Sequence, residues 1–285
     1  MKNLENDITI IIKTFNRKNS LIKLLRSLEQ LSCKLDILVA DDSQYPYKRD
    51  ILEKFRSLSL RYYTLPYDSG LAAGRNVLLQ HVTTPYFLLC DDDFYLERRT
   101  DLHNVLQVMK EHNLDIAGGA FRNYVMVNNL RNLGRILLTP KLAWRLFTST
   151  PIVSRYTGNF ILEKDCCTLL ISNRARQEKI YPCDLVNNFF IAKTDRIKDM
   201  GAWDTSFKLG EHEDFFFRAK QNGLKIAFVE GFATRHYPQI HSSYRLYRER
   251  STQLKHAFVK KSGFSDYREI DIDNGKILFS YKPGN

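Results

Sequence analysis

The first half of the chain alternates short apolar runs with segments whose apolar residues recur at helical spacing. The apolar runs, each about the length of one strand, occupy residues 8–13, 35–40, 60–65 and 86–90. After the first run, Leu21, Leu24, Leu25 and Leu28 fall on one face of a helix. Such alternation predicts an α/β fold, with a mostly parallel, Rossmann-like central sheet and helices on both of its faces.

The regular pattern stops near Arg122 and returns near Leu185. The stretch between them is basic and aromatic and is periodic only in patches, as expected for an insertion or a lid over a site. Beyond it, the pattern predicts a strand at 185–192, helices near 195–200 and 212–222, and a last clear strand at 226–229. The chain therefore divides into residues 1–121, residues 122–240 with an insertion at about 122–184, and a basic extension over 241–285.

The composition is that of a globular domain, because hydrophobic residues make up 44% and charged residues 26% of the 285 residues. This excludes a disordered or low-complexity chain. No apolar run approaches the roughly 20 residues of a membrane-spanning helix, and the polar amino terminus lacks the features of a signal peptide. We therefore expect a cytoplasmic protein. Five cysteines without a CxxC pair argue against a structural zinc site or a disulfide framework.

Positive charge is concentrated near the carboxyl end of the chain. The net charge is +11, and residues 241–261 contain six Lys and Arg against one acidic residue, Glu249, with aromatic residues among them. A solvated surface helix is the simpler interpretation. The functional alternative is a peripheral contact with anionic lipid or an acidic glycan, which would hold the protein at the inner face of a membrane.

Three consecutive aspartates, Asp91, Asp92 and Asp93, follow the apolar run at 86–90. Adjacent carboxylates repel one another and are stable together when a cation lies among them. Hard oxygen ligands select Mg²⁺ or Mn²⁺, which take one or two carboxylates together with substrate phosphates. The alternative is an acidic turn that caps a helix beginning near Arg99.

Polar residues also follow the neighbouring predicted strands. Thr14, Phe15 and Arg17 end the first strand, and Asp41 and Asp42 end the second. In open α/β sheets, ligands bind beyond the carboxyl ends of the strands, so these residues should converge on one crevice. A carboxylate there accepts from a base imide or a ribose hydroxyl, and Phe15 offers a stacking face.

A stretch of small residues at 70–76 places Arg75 near the start of a helix, where a diphosphate binds well. The stretch matches neither the P-loop nor the dinucleotide-binding fingerprint, which argues against a kinase and a dehydrogenase. In the second half, Asp214 opens an apolar helix and is a candidate general base, whereas Glu211 and Glu213 are interpreted as partners of the helix dipole. His236 is either a satisfied loop histidine or part of a metal shell.

Six short motifs occur in order along residues 8–238. They are Lys-Thr-Phe-Asn-Arg at 13–17, Ala-Asp-Asp-Ser at 40–43, Ala-Gly-Arg-Asn at 73–76, Asp-Asp-Asp-Phe at 91–94, Gly-Gly-Ala at 118–120 and Asn-Asn-Phe-Phe at 187–190. In this order they resemble the nucleotide-sugar-dependent glycosyltransferases of GT-A fold. The chain most resembles the β-1,4-N-acetylgalactosaminyltransferases of ganglioside-synthase type, and it is also similar to inverting family-2 transferases of bacterial capsule and lipopolysaccharide synthesis.

The resemblance implies a role for each matching position. Residues 1–121 would bind a UDP-sugar, and residues 122–240 would bind the acceptor and carry the catalytic base, Asp214. In the DXD-type motif, Asp93 would bind Mn²⁺ or Mg²⁺ together with His236. The positions implied for the nucleotide sugar are Thr14, Phe15, Arg17, Asp41, Asp42, Arg75, Asp91, Asp92 and Asn188.

The implied reaction is a single displacement that inverts the anomeric carbon and releases UDP. It would move N-acetylgalactosamine, or another hexosamine or hexose, to a glycan or glycolipid acceptor in surface polysaccharide or glycolipid synthesis. Two other classes stay open. A nucleotidyltransferase shares the sheet and the metal carboxylates but would release pyrophosphate. A nucleic-acid-binding protein fits the charge of +11, although aspartates at strand ends would repel phosphates, so no nucleic acid partner is expected.

Overall fold

Strands and helices alternate through the first half of the chain, as the sequence pattern predicts. The computed structural model describes residues 4–31, 33–97, 100–124, 134, 137–207, 211–237 and 251–282. The elements of the first half are α1 (Leu4–Asp7), β1 (Ile8–Thr14), α2 (Lys18–Glu29), β2 (Asp36–Asp41), α3 (Lys48–Lys54), β3 (Ser59–Thr64), α4 (Leu71–Gln80), β4 (Tyr86–Asp91), β5 (Phe94–Tyr95), α5 (Leu102–Glu111) and β6 (Ile116–Asn123).

The second half holds more strands than the sequence pattern indicates, and the strand predicted at 185–192 consists of two short strands. The elements are α6 (Pro140–Thr148), β7 (Ile152–Ser154), β8 (Thr157–Glu163), β9 (Cys166–Ser172), β10 (Ile180–Pro182), β11 (Leu185–Val186), β12 (Phe190–Lys193), α7 (Thr194–Asp199), α8 (Glu211–Gln221), β13 (Ile226–His236), α9 (Ser251–Ser262), β14 (Asp266–Asp271) and β15 (Lys276–Tyr281).

One large sheet carries strands of both halves. Its order is β10-β13-β6-β12-β4-β1-β2-β3, with β5 beside β13 and β7 beside β6. The strands β1, β2, β3 and β4 pair in parallel, whereas β12 runs antiparallel between β4 and β6. The predicted α/β class is confirmed. The sheet is parallel through the first half and mixed in the second.

Alternation along β1 separates two apolar clusters on opposite faces of the large sheet. Ile10 and Ile12 pack with Leu21 of α2 on one face, while Ile11 packs with Leu78 of α4 on the other. All five side chains are fully buried, and full burial of such a side chain contributes about 1.5–3 kcal/mol. The two helices therefore hold β1 in the register at which it ends beside β2 and β4.

A second sheet, with the order β11-β8-β9-β14-β15, joins the inserted region to the carboxyl-terminal residues. This corrects the prediction that residues 226–229 form the last clear strand, because β13 continues to His236 and both β14 and β15 follow it. In β14, Tyr267 and Glu269 are both buried. A carboxylate therefore occupies an inward position, which hides the apolar alternation that identifies a strand.

The carboxyl-terminal helix α9 lies at the surface, with Lys260 and Lys261 exposed, and packs its other face against the protein. Phe258 and Val259 are buried, and the Phe258 ring packs edge-on against the rings of Phe217 and Tyr267. Residues 241–250, the first part of the segment predicted to contact a membrane, lie outside the described residues. Within the described ranges, no helix is long and apolar enough to cross a membrane.

Gly119 of β6 fills a gap that is too small for a side chain. A Cβ placed there would lie 2.6 Å from the backbone oxygen of Phe232 and 2.9 Å from the Phe189 ring. We expect Gly119→Ala to lower the free energy of unfolding by about 1–3 kcal/mol through overpacking. Equilibrium urea unfolding measures this. Gly134→Ala is the control, because no atom of the described residues lies within 4 Å of a Cβ placed there, and equal stability of the two variants would contradict the packing argument.

Candidate functional site

The carboxyl ends of β1, β2 and β4 lie side by side at one edge of the large sheet. The parallel register sets Thr14 opposite Asp41 and Lys13 opposite Asp91. Because these strands are parallel neighbours, the polar residues at their ends and in the loops that follow meet in one crevice.

Arg17 lies between two of the three consecutive aspartates. Its Nη2 is 2.5 Å from Asp92 Oδ1, and its Nη1 donates to Asp93 Oδ2 at 2.8 Å. Thr14 donates through Oγ1 to Asp92 Oδ2 at 2.6 Å. Asp92 is fully buried, so these partners take the place of water around its carboxylate. The structure thus brings Thr14, Arg17, Asp92 and Asp93 together.

The three aspartates differ in proton affinity because their surroundings differ. Burial raises the pKa of Asp91, and it raises the pKa of Asp92 to about 7 against the charge of Arg17. Burial also acts to raise the pKa of Asp93, but the contacts with His236 and Arg17 outweigh it and the pKa is lowered. Asp93 is therefore the aspartate best kept ionised, as a cation ligand must be.

His236 joins the cluster from the end of β13. Its Nε2 is 3.4 Å from Asp93 Oδ2, and its Nδ1 contacts the side-chain oxygen of Asn123, which orients the ring. Among the residues that the structure describes, no group of three or more His, Cys, Asp or Glu could hold a metal ion. One oxygen donor and one nitrogen donor do fit Mn²⁺ or Mg²⁺ when phosphate oxygens of a ligand complete the shell.

Arg75 of α4 connects the aspartates to α8. It is 1% exposed, and its two terminal nitrogens contact Glu211 Oε1 and Asp91 Oδ1, the latter at 3.3 Å. Its Nε is buried and has no hydrogen-bond partner among the described residues. A buried donor without a partner costs about 1–3 kcal/mol, and an anionic oxygen would satisfy it. Glu211 is therefore the buried partner of Arg75, which corrects its interpretation as a partner of the helix dipole alone.

Asp41 and Asp42 are engaged by the protein itself. Asp41 accepts from the Tyr62 hydroxyl, and Asp42 accepts from the Gly70 amide at 2.9 Å and forms an ion pair with Lys13. Both carboxylates are buried. They therefore fix the loops that surround the crevice.

Helix α8 carries the sequence-predicted base, Asp214. This residue is 3% exposed, its Oδ2 accepts from Arg218 Nε at 2.8 Å, and its Oδ1 lies 3.3 Å from Lys261 Nζ. The structure thus joins Asp214 to α9 rather than to the hydrogen-bonded group around Arg17. Its role as the base stays a prediction.

Two neighbours of Asp214 have electrostatic properties that the sequence does not reveal. His212 Nδ1 lies 2.8 Å from Asn188 Oδ1, and burial lowers the pKa of His212 to about 3, so its ring is neutral. Glu213 is half-buried, and burial together with the charge of Glu269 raises its pKa to about 7. Sequence reasoning missed Glu213 because an acidic residue in the first turn of a helix has an ordinary explanation in the dipole.

Comparison with known proteins identifies a family and several relatives of this chain. The glycosyl transferase family 2 profile matches residues 9–178. Beta-1,4 N-acetylgalactosaminyltransferase 2 of Mus musculus is 35% identical over 215 residues, and beta-1,4 N-acetylgalactosaminyltransferase 1 of Rattus norvegicus is 29% identical over 214 residues. Each alignment covers 75% of this chain and 36% of the relative. The chain therefore spans about a third of the length of these relatives.

Solved structures share the fold at low sequence identity. TarS 1–349 of S. aureus, in complex with UDP-GlcNAc, superposes with a TM-score of 0.60 at 18% identity, covering 88% of this chain and 65% of TarS 1–349. GalNAc-T7, solved with UDP, GalNAc and Mn²⁺, gives a TM-score of 0.59 at 13% identity, covering 82% of this chain and 44% of GalNAc-T7. These superpositions confirm the GT-A fold.

The pair between Arg75 and Glu211 predicts a strong coupling in stability. We expect Arg75→Met to lower the free energy of unfolding by about 3–5 kcal/mol, because Glu211, 2% exposed, then stays buried without its cation. Adding Glu211→Met should recover most of that loss, as urea unfolding would show. Arg49→Met removes an exposed ion pair with Glu53 and should cost less than about 1 kcal/mol. Strict additivity of the two buried substitutions would contradict the coupling.

Proposed function

Because the chain belongs to glycosyl transferase family 2, we propose that it transfers a sugar from a UDP-sugar to a hydroxyl group of a glycan or glycolipid acceptor. The observation that carries this proposal is the crevice at the sheet edge, where arginines and aspartates meet and Arg75 keeps a buried Nε without a partner among the described residues. Such a crevice suits an anionic ligand that brings its own cation. With such an acceptor, the protein would act in surface polysaccharide or glycolipid synthesis.

The uridine is proposed to lie beside the loops that follow β1 and β2. Phe15 is half-buried there, and its ring centroid lies 5.8 Å from that of Tyr67, which is 58% exposed. Either ring offers a face on which the uracil can stack. Asp41 and Asp42 would contribute to uridine binding indirectly, because their contacts with Tyr62, Gly70 and Lys13 hold these loops in place.

The diphosphate is proposed to contact Arg75, with Arg17 nearby. Asp91 is 29% exposed on its side chain, and it would accept from a ribose hydroxyl. Asp93 and His236 would hold Mn²⁺ or Mg²⁺, which when bound neutralises the charge that develops on the departing UDP. The Mn²⁺ in the GalNAc-T7 structure supports this choice of ion.

The donor sugar is proposed to be an N-acetylhexosamine, with N-acetylgalactosamine first. The relatives named N-acetylgalactosaminyltransferases support it, and so does the UDP-GlcNAc bound to TarS. Asn188 would contact this sugar. Its side chain is hydrogen-bonded to His212 at the start of α8, the helix that carries the candidate bases.

Transfer is proposed to be one displacement. The acceptor oxygen forms a bond to the anomeric carbon while the bond from that carbon to the diphosphate oxygen breaks, and UDP leaves with the electron pair. The acceptor proton passes to a carboxylate of α8. Attack opposite the leaving group inverts the anomeric carbon, so an α-linked donor gives a β-linked product.

Glu213 and Asp214 are the two candidates for that proton acceptor. The sequence favours Asp214, which also accepts from Arg218 and lies beside Lys261. Burial and the charge of Glu269 raise the pKa of Glu213 to about 7, but the charged groups beside it, Glu269 and Lys255, belong to β14 and α9 rather than to the crevice. We therefore propose Asp214 as the base and keep Glu213 as the alternative that substitution tests.

Ligand-dependent thermal stability tests the donor assignment. UDP-N-acetylgalactosamine with Mn²⁺ is expected to raise the melting temperature more than either component alone, because the nucleotide completes the metal shell. Asp93→Asn should remove the part of the shift that depends on Mn²⁺. Asp50→Asn, at an exposed ion pair with Lys18, should leave the shift unchanged. The proposal fails if no UDP-sugar stabilises the protein, and pyrophosphate release from a nucleoside triphosphate would indicate a nucleotidyltransferase.

Substitution of the two carboxylates tests the base. Asp214→Asn should reduce the transfer rate at least about 100-fold while keeping the thermal shift with UDP-sugar. It should also lower stability, because it leaves Arg218 without its anion. Glu213→Gln should keep most of the transfer activity. The opposite pattern, with transfer lost only in Glu213→Gln, would assign the base to Glu213, and kcat would then rise with pH through about 7.

A further inference from the structure

Helix α6 exposes large apolar side chains to solvent. None of its residues is buried. Trp144 is 69% and Phe147 is 76% exposed, and Leu138, just before the helix, is 86% exposed. Ile152, just after it, is 43% exposed. We refer to these four side chains as the α6 apolar patch.

Single exposed apolar residues are ordinary on a protein surface, whereas several in one short segment indicate an interaction site. Trp144 and Phe147 are three positions apart on one helix, so they project from the same side. Large aromatic side chains on one side of an exposed helix are typical of helices that lie in a membrane interface.

The chain segment that contains the patch has charged residues of one sign. Between residues 116 and 162 there are six Lys and Arg and no Asp or Glu, of which Arg122 and Arg155 form ion pairs with Glu97 and Glu230. Another of the six, Lys141, is exposed and lies three positions before Trp144. A basic, aromatic surface is complementary to anionic lipid, because lipid tails accept the rings while headgroups attract the cations.

The patch is also close in the chain to the proposed acceptor side of the crevice. Strand β7 follows α6, and the backbone oxygen of Ser154 in that strand accepts from Asn187 at 3.2 Å. Two residues later, the Tyr156 ring centroid lies 6.3 Å from that of His212 on α8. The segment that bears the patch therefore leads within a few residues into contacts with α8, the helix that carries the proposed base.

We propose that the α6 apolar patch docks on the surface of an anionic bilayer, where its aromatic side chains enter the interface. This moves the membrane contact from residues 241–261, where Phe258 is buried, to residues 138–152. It also narrows the proposed function, on which this step rests: the acceptor would be linked to a lipid and presented at the bilayer surface.

Vesicle flotation with the full chain tests the docking. Vesicles of phosphatidylcholine with phosphatidylglycerol should carry the protein, and pure phosphatidylcholine vesicles should carry at least about tenfold less. Trp144→Ser/Phe147→Ser should weaken binding to the anionic vesicles at least about tenfold. Lys141→Glu should weaken it as well, and added salt should weaken binding of the wild type. Ile277→Ser removes an apolar side chain of β15 that is 58% exposed, and it should bind as the wild type does.

Tryptophan fluorescence measures the same vesicle binding through Trp144, a residue of the patch. Of the two tryptophans in the chain, Trp203 is 2% exposed, so a blue shift on vesicle binding would come from Trp144. Equal binding to both kinds of vesicle, unchanged binding of the double variant, or no vesicle binding would overturn the proposal. Self-association that the double variant abolishes would also overturn it, in favour of a contact between two copies. The thermal shift with UDP-sugar should be the same in all these variants, so a failure here leaves the donor assignment intact.

Discussion

A carboxylate buried at the carboxyl edge of the large sheet needs a cation or several hydrogen-bond donors beside it, and the structure depends on this requirement. Arg17 serves two of the three consecutive aspartates, Lys13 pairs with Asp42, and Arg75 joins the third aspartate to Glu211. These pairs link β1, β2, β4, α4 and α8. The charges that form the crevice therefore also hold the two halves of the chain together, which is why the site and the fold cannot vary independently.

Much of the first half could be predicted from sequence, because each polar cluster directly follows an apolar strand and parallel strands end at one edge. The partners of these clusters could not. Arg75 and Glu211 are 136 positions apart, and no local pattern reports such a pair. Strand β14 was not predicted for a related reason. Its inward-facing residue Glu269 is charged and accepts a hydrogen bond from Lys255 of α9. Hydrophobic periodicity cannot predict long-range ion pairs, because it depends only on residues that are close in the chain.

The family profile covers one part of the crevice and not the other. The profile of glycosyl transferase family 2 ends at residue 178, so it contains the three consecutive aspartates together with Arg17 and Arg75. Helix α8, β14 and α9 lie beyond it, and they supply Glu213, Glu269 and Lys255. The proton affinity of Glu213 is thus fixed by elements outside the matched region. The profile match therefore includes the residues around Arg17 and Arg75, whereas the residues that set the pKa of Glu213 lie outside it.

The parallel pairing of β9 with β14 has a consequence for synthesis. Cys166 lies opposite Asp266, so about a hundred residues separate the two strands in the chain. A parallel partner that distant forms late, because the loop must close before the pairing stabilises it. During synthesis, the edge of β9 that will pair with β14 is at first unpaired. Such an edge can pair with strands of other nascent chains. The open edge of β9 is covered only after β14 has left the exit tunnel, and the second sheet is complete once β15 has followed.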